Sequence, residues 1–347
     1  MSAEEKKVPP AASLRTLADY LGLSTAAVSR VLSGSPAARS IPAVTQERIF
    51  EAARKFQYRP NVLARSLRSQ KSLTIGVMVP EVSEGYATLV LSGIEQKLLE
   101  EGYFYFVVSH HHRQERIAKY MDLLLARAVE GIIAVDTPLE HPLTVPTVVV
   151  SGHREPEGTI NIRLNHKLAA ELALDHLIEL GHRKIAIIKG QVFSSDTQIR
   201  WKSIVAAAKR RGLVLDSTLV EQLDGLGPGN ELGYAATRRL LEGGRQFSAL
   251  FAFNDSAAIG AMKALVEAGL KVPGDVSVVG FDDVQGAAFQ SPGLTTVVQP
   301  LREMGSLAAS TLLDKILGRP TPSNSKVWTV DPGFVVRGST GPLPDHG

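Results

Sequence analysis

GLSTAAVSRVL, residues 22–32, decides how the first sixty residues of this chain are read. Val28, Val31 and Leu32 recur at i, i+3 and i+4, which puts them on one face of a helix. Thr25, Ala26, Ser29 and Arg30 fall on the other face, and Arg30 is its one charge. That outer face is too small to fill a core and too weakly charged for an ordinary solvated surface. Side chains this small let a helix backbone come close to something else.

The flanking residues supply the context. LRTLADYLG, residues 14–22, places Leu14, Leu17, Ala18 and Leu21 on one face, and Gly22 follows at a tight turn. Ser24 is placed to cap the next helix. A third helix is expected from about Thr45, with Ile49, Ala52, Ala53 and Phe56 repeating as i, i+3, i+4 and i+7. Two helices joined by a short Gly-containing turn and packed on a third form a helix-turn-helix unit. In that unit the second helix lies in the major groove and its exposed N-terminal residues meet base edges.

The charge distribution agrees. The 347 residues carry a net +3, but residues 1–72 hold 12 Lys and Arg against 5 Asp and Glu, a net +7, which leaves the remainder at −4. A basic head on a mildly acidic body implies a polyanionic partner for the head alone. The chain has no cysteine, which excludes disulfides and thiolate metal sites or nucleophiles and suits the cytoplasm. No apolar run reaches membrane length, and the opening MSAEEKKVPPAAS lacks the apolar core of a secretory signal. A cytoplasmic protein without membrane contact is expected.

LADYLGLSTAAVSRVLSG together with TQERIFEAARKFQYRPNVLARSLRSQKS resembles the head of the lactose/galactose repressor (LacI/GalR) family, and the resemblance runs from about residue 13 to 340. It implies DNA contacts from Ser13, Leu14 and Arg15, base reading by Thr25, Ala26 and Arg30, and support from Ser24 and Ser29 on the same helix. The loop SGSPAARSIPAVT is about three residues longer than the family's usual one and carries Pro42. YRPNVLARSLRSQKS, residues 58–72, reads either as a basic tether or as a hinge helix of about two turns, too short to be stable alone. On the second reading Asn61 starts the hinge and Ala64 allows close helix approach. Leu67 matches the family's hinge leucine, an apolar wedge that bends DNA from the minor groove.

From residue 73 short apolar strands alternate with helical segments: LTIGVMVP, YFYFVVS, GIIAV, TVVVSG, KIAIIKG, ALFAFN and VSVVGFD. That alternation implies parallel sheets covered on both faces, and the pattern restarts near residue 165. The expected architecture is α/β: an all-α helix-turn-helix head (13–59) after a flexible extension (1–12), a hinge helix (60–72) and a two-subdomain core like that of periplasmic binding proteins (73–340), before a short tail (341–347). The resemblance implies three crossings, with an N-subdomain of 73–164 plus 295–322 and a C-subdomain of 165–294 plus 323–340.

In open α/β sheets ligands bind beyond the carboxyl ends of the strands. Asn254 and Asp255 end one strand and Asp282 and Asp283 another. Asp255 reads first as a helix cap. Asp282 and Arg200 match the family's effector-binding aspartate and arginine, and Arg200's donor fork with Asp282's acceptors suits vicinal hydroxyls or a small polar ring. Asn254 can supply both kinds of bond. Tyr86 and Ser151 stand at further pocket positions of the family, Ser151 where some sugar-binding relatives have an acid. Asn165-His166 replaces the usual Asp-Asn pair. Three adjacent histidines, His110 to His112, cannot easily share one metal, and neither a nucleophile elbow nor a phosphate loop occurs. The reading is therefore a regulator and not an enzyme, with no metal and no cofactor. Its expected partners are a palindromic double-stranded DNA operator, a sugar-like small-molecule effector and a second copy of itself. A solute-binding protein of a sugar transport system is the alternative, and the basic head argues against it.

Overall fold

The computed structural model describes residues 13–58, 71–82, 85–152, 156–244, 246–320 and 326–343. The hinge residues Asn61, Ala64 and Leu67 lie outside the described residues. Two compact units are present, Met1–Ser72 and Leu73–Gly347.

In the head, helix α1 spans Leu14–Leu21, α2 Thr25–Leu32 and α3 Ala43–Lys55. Ser13 and Thr16 form a capping box: the Ser13 hydroxyl accepts from Thr16 N at 3.1 Å and Ser13 N donates to Thr16 Oγ1 at 3.3 Å. Gly22 closes α1 with φ 66°, a left-handed conformation that a side chain would disfavour. Leu17, Ala18, Val28, Val31, Ile49 and Ala52 are buried together, as the periodicity requires. α3 begins two residues before the expected Thr45. Pro42, at its N-cap, has no N–H to leave unsatisfied, and its carbonyl accepts from Gln46 N at 3.0 Å.

The body holds two six-stranded sheets. The first contains β1 (Thr74–Val79), β2 (Phe104–Ser109), β3 (Gly131–Val135), β4 (Thr147–Val150), β5 (Ile160–Leu164) and β11 (Val327–Val330), in the order β11-β5-β4-β3-β1-β2. The second contains β6 (Ile185–Lys189), β7 (Val220–Gln222), β8 (Ala249–Ala252), β9 (Ser277–Asp282), β10 (Thr295–Val298) and β12 (Gly333–Val335), in the order β12-β10-β9-β8-β6-β7. All pairings are parallel except β10 with β12.

Alternate strand residues face opposite ways. Ile75, Val77 and Val79 of β1 pack with helices α4 (Gly85–Glu100) and α11 (Leu301–Leu317), while Met78 packs with Ile117 and Leu124 of α5 (Gln114–Ala126). The second sheet is covered likewise, by α6 (His166–Glu179) and α7 (Ser195–Arg210) on one face and α8 (Gly229–Glu242) and α9 (Asp255–Glu267) on the other. α4 and α11 approach closely enough that a Cβ on Gly93 would stand 1.9 Å from the Arg302 carbonyl oxygen.

The subdomain boundaries differ from those expected. Thr295–Val298 pairs with β9 and belongs to the second sheet, whereas Val327–Val330 pairs with β5 and belongs to the first. The chain thus crosses after Leu164, after Val298 and after Val330. Both strands have only four residues, too few for their partner to be read from pattern. The long helix α11 beside β10 does pack on the first sheet, but the strand before it pairs on the second.

Candidate functional site

On the head, the sequence-predicted residues divide by what their side chains already do. The hydroxyls of Ser13 and Ser24 cap α1 and α2, Ser24 accepting from Ala27 N at 3.2 Å. Leu14 is half-buried against the head core, and Ser29 is half-buried. Thr25, Ala26, Arg15 and Arg30 are exposed. Neither arginine makes a side-chain hydrogen bond or ion pair among the described residues. The face of α2 therefore combines a close-approach surface with one long donor fork able to reach two acceptors of a guanine.

In the body a cavity of about 440 Å³ opens between the two sheets, beyond their carboxyl ends. Tyr86, Asp136, Asp196, Arg200, Asn254 and Asp282 all line it. Five of them come from a strand end or a helix start: Asp136 follows β3, Asn254 caps α9 just after β8, Asp282 ends β9, and Tyr86 and Asp196 are the second residues of α4 and α7, while Arg200 stands one turn further along α7.

Arg200 is the centre of this wall. It is only 4% exposed, and its guanidinium lies 4.3 Å from the Phe253 ring centroid and 3.5 Å from that of Phe281. One terminal nitrogen donates to the Phe253 carbonyl and the other to Asp196 Oδ2 at 3.4 Å. Its Nε finds no partner among the described residues. Asp196 Oδ1 also meets His166 Nε2 at 3.2 Å. A buried, flat, cationic donor clamped by aromatic faces is pre-organised to orient a polar ligand.

The other predicted residues are placed as follows. Asn254 Oδ1 caps α9 by accepting from Ala257 N at 2.9 Å, which leaves its amide donors as what it offers a ligand. Asn254, and not Asp255, is thus the helix cap. Asp255 is fully buried and accepts from Thr296 Oγ1 at 2.6 Å and from Val284 N at 2.8 Å. Burial pushes its carboxyl up to about 7. Asp282 adopts φ 109°, a costly backbone conformation for a residue with a side chain, of the kind that gathers at ligand sites. Ser151 does not reach the wall. It is buried one layer back, where its hydroxyl accepts from the Tyr86 hydroxyl at 2.9 Å. Burial, with Asp196 and Asp136 nearby, holds the Tyr86 phenol well above its ordinary range, so it stays a neutral donor and acceptor.

Asp136 and Asp196 are functional candidates that sequence reasoning passed over. Asp196 lies four residues before Arg200 on one helix, hence on the same face. Asp136 ends GIIAVD just as Asp282 ends VSVVGFD. Asp136 also crosses the cleft: its carboxylate accepts from Ser195 N at 3.1 Å and from Ser195 Oγ at 2.5 Å, so the first subdomain caps α7, the helix that carries Asp196 and Arg200. At the mouth the His112 and Phe193 rings, again from the two subdomains, meet at 4.3 Å. His110 accepts from His112 N at 3.0 Å through Nδ1 and meets Thr137 Oγ1 at 2.9 Å through Nε2, so both ring nitrogens are engaged. Burial lowers His110 to about 3 and His112 to about 4.

The chain is 30% identical over 346 residues to the HTH-type transcriptional repressor CytR of Escherichia coli K12, covering 98% of this chain and 99% of that one. It belongs to the LacI family of transcriptional repressors. The ribose operon repressor of Escherichia coli K12 is also 30% identical to this LacI-family chain, over 336 residues, covering 94% of it and 99% of the relative. Residues 174–340 match the family described as a periplasmic binding protein-like domain. Among solved structures, the lac repressor dimer bound to operator and the anti-inducer ONPF superposes on this repressor with a TM-score of 0.82 at 26% identity, covering 95% of this chain and 99% of that one.

Proposed function

We propose that this LacI-family repressor works as a dimer on a palindromic operator, and that a small polyhydroxylated effector, a sugar or sugar derivative, binds between its two body subdomains and sets operator affinity. One observation carries the effector half: a buried arginine, clamped between Phe253 and Phe281, faces a cavity edged by the carboxylates of Asp136, Asp196 and Asp282. A guanidinium and three carboxylates lining one cavity suit a ring with several hydroxyls. Arg200, Asp282, Asn254 and Tyr86 would hold it, with Asp196 and Asp136 beside them and Ser151 positioning Tyr86.

The cross-cleft contacts explain how occupancy is transmitted. Asp136 to Ser195 and His112 to Phe193 exist only while the subdomains are close. An effector that favours or opposes these contacts has different affinity for the two arrangements, which is the requirement for shifting them. In the head, Thr25, Ala26 and Arg30 would read bases while Ser13, Leu14, Arg15, Ser24 and Ser29 set the approach. Asn61, Ala64 and Leu67 would form the hinge, with paired Leu67 side chains wedging the centre of the site. In this reading the chain binds and releases in the cytoplasm and performs no reaction, and it needs no cofactor.

A thermal-shift screen of the full chain with D-ribose, D-galactose, cellobiose, ribose 5-phosphate, cytidine and adenine tests the effector half. At least one hydroxyl-rich compound should raise the melting temperature in wild type and not in Arg200→Ala. A shift with adenine alone, or one that survives Arg200→Ala, contradicts it.

A further inference from the structure

HHHRQER, residues 110–116, gives the cavity more than the closing contact of His112. The buried His110 ring fixes this turn, accepting from His112 N at 3.0 Å and meeting Thr137 Oγ1 at 2.9 Å. His111 and His112 take left-handed conformations, with φ 49° and 55°, that residues with side chains rarely adopt. The turn delivers the chain to Arg113, the N-cap of α5. Arg113 and Arg116 both line the cavity. Arg113 is exposed and Arg116 half-buried, which puts the pair on the rim.

This rim is built for an anion. Cations at the start of a helix stand against its dipole, so a bound anion there relieves an unfavourable arrangement. No side chain caps α5, which leaves the amides of its first turn to accept an outside partner. Neither Arg113 nor Arg116 makes a side-chain hydrogen bond or ion pair among the described residues. Of the carboxylates lining the same cavity, Asp196 pairs with Arg200 at 3.4 Å and Asp136 accepts from Ser195 N at 3.1 Å. Glu81 and Asp282 also line it, and neither pairs with the two rim arginines. On the same wall Arg200, 4% exposed, keeps Nε without a partner among the described residues. Three guanidiniums thus line one cavity with donors to spare.

We propose that the effector of this cleft is a phosphorylated sugar, its phosphate held on the rim by Arg113 and Arg116 and its hydroxyls by the wall around Arg200. This rests on the reading of the cleft as a sugar site and adds the charge of the ligand. Two guanidiniums and the open amides of a helix start match a dianion with three terminal oxygens, whereas a carboxylate fills a single fork. Unlike Arg200, the rim arginines have no contacts that hold the fold, so variants here change binding and leave far-ultraviolet circular dichroism as in wild type.

The test is isothermal titration calorimetry of the full-length chain as wild type, as the double variants Arg113→Ala with Arg116→Ala and Arg113→Lys with Arg116→Lys, and as Arg200→Ala. The probes are D-ribose and ribose 5-phosphate, D-glucose and glucose 6-phosphate, and D-glucuronate. In at least one pair the phosphate should bind wild type about tenfold or more tighter than the neutral sugar, the scale of one charge-assisted hydrogen bond. The double alanine variant should erase that preference and leave the affinity of the neutral sugar unchanged. The double lysine variant should keep most of it, since a point charge suffices for a phosphate. Arg200→Ala should weaken sugar and sugar phosphate alike. Phosphates that bind no better than their neutral sugars, or a preference that survives the double alanine variant, overturn the rim site and leave the sugar reading standing. Glucuronate bound as tightly as glucose 6-phosphate overturns the assignment of a phosphate. A wild type that binds none of the probes overturns the sugar reading of the cleft itself, and the rim site with it.

Discussion

Arg30 in the head and Arg200 in the cleft are the same side chain under opposite conditions. Arg30 is exposed on a helix of small residues and keeps its donors for a partner. Arg200 is buried, sandwiched between two rings and paired with Asp196, so most of its donors are committed before any effector arrives. The difference follows from the ligand. DNA brings its own rigid shape and a line of charge, so a head needs only free cations on a firm support. A small effector must be held by the protein, and the holding groups must be fixed by structure. Substitutions on the head should therefore change binding and leave folding intact, whereas substitutions in the cleft should change both.

The largest expected effect tests the cleft side of that contrast. Arg200→Ala strands Asp196 without its cation, and breaking a buried pair in this way costs about 3–5 kcal/mol. The fluorescence of Trp201 and Trp328, both in the body, should report that loss in denaturant unfolding. A loss below 1 kcal/mol would make Arg200 no more structural than Arg30 and erase the contrast. Next in size is Arg30→Ala. It should relax discrimination at one base pair in each half-site by about 1–3 kcal/mol. Head stability should stay within about 0.5 kcal/mol of wild type, as for other exposed positions. Competition binding with single-base variants of a selected site measures the first quantity, and thermal melting the second.

Smaller still is the cross-cleft cap. Ser195→Ala removes the hydroxyl that donates to Asp136 and should cost about 1 kcal/mol of body stability. It should also raise hydrogen exchange at the start of α7, and unchanged exchange there would detach this contact from subdomain closure.

The last effect depends on pH. In the unfolded chain the histidine side chains take up protons near pH 6.5, while in the fold His110 waits until about 3 and His112 until about 4. Their contribution to stability is present above pH 6.5 and is lost as pH falls from there toward 4. The gap in melting temperature between wild type and His110→Gln should narrow between pH 7 and 4.5. A gap that widens reverses the sign of this assignment.

Periodicity alone was enough for the head, because three short helices with one core leave few ways to pack. Its one surprise, the ordered Pro36–Ser40 turn, has no periodicity to show and owes its shape to Ala38 and Gln46. In the body seven apolar strands, β1 to β4, β6, β8 and β9, are legible one by one, whereas β5, β7 and the short strands after residue 290 are not, and the segments that hold β10 and β11 are expected in the wrong subdomains. Four residues do not encode which of two edges they join. In the cleft, Arg200, Asp282, Asn254 and Tyr86 line one cavity, as a shared pocket requires, whereas Ser151 stands behind Tyr86. Asp136 and Asp196 each leave a local trace, Asp136 at the end of GIIAVD and Asp196 four residues before Arg200, but their contacts with Ser195 and His166 join elements distant in sequence or across the cleft. A contact between two subdomains leaves no local pattern.

The central claim is that exposed charge in the head reads DNA and buried charge in the cleft reads the effector. Binding-site selection from a random duplex library with wild type, Arg30→Ala and Arg200→Ala tests it most directly. Wild type should recover a two-fold symmetric site, as a dimer requires. Arg200→Ala, if folded in the assay, should recover the same site unchanged, and Arg30→Ala that site with one base pair relaxed in each half. A site altered by Arg200→Ala, or left intact by Arg30→Ala, would contradict the division of labour between the two regions.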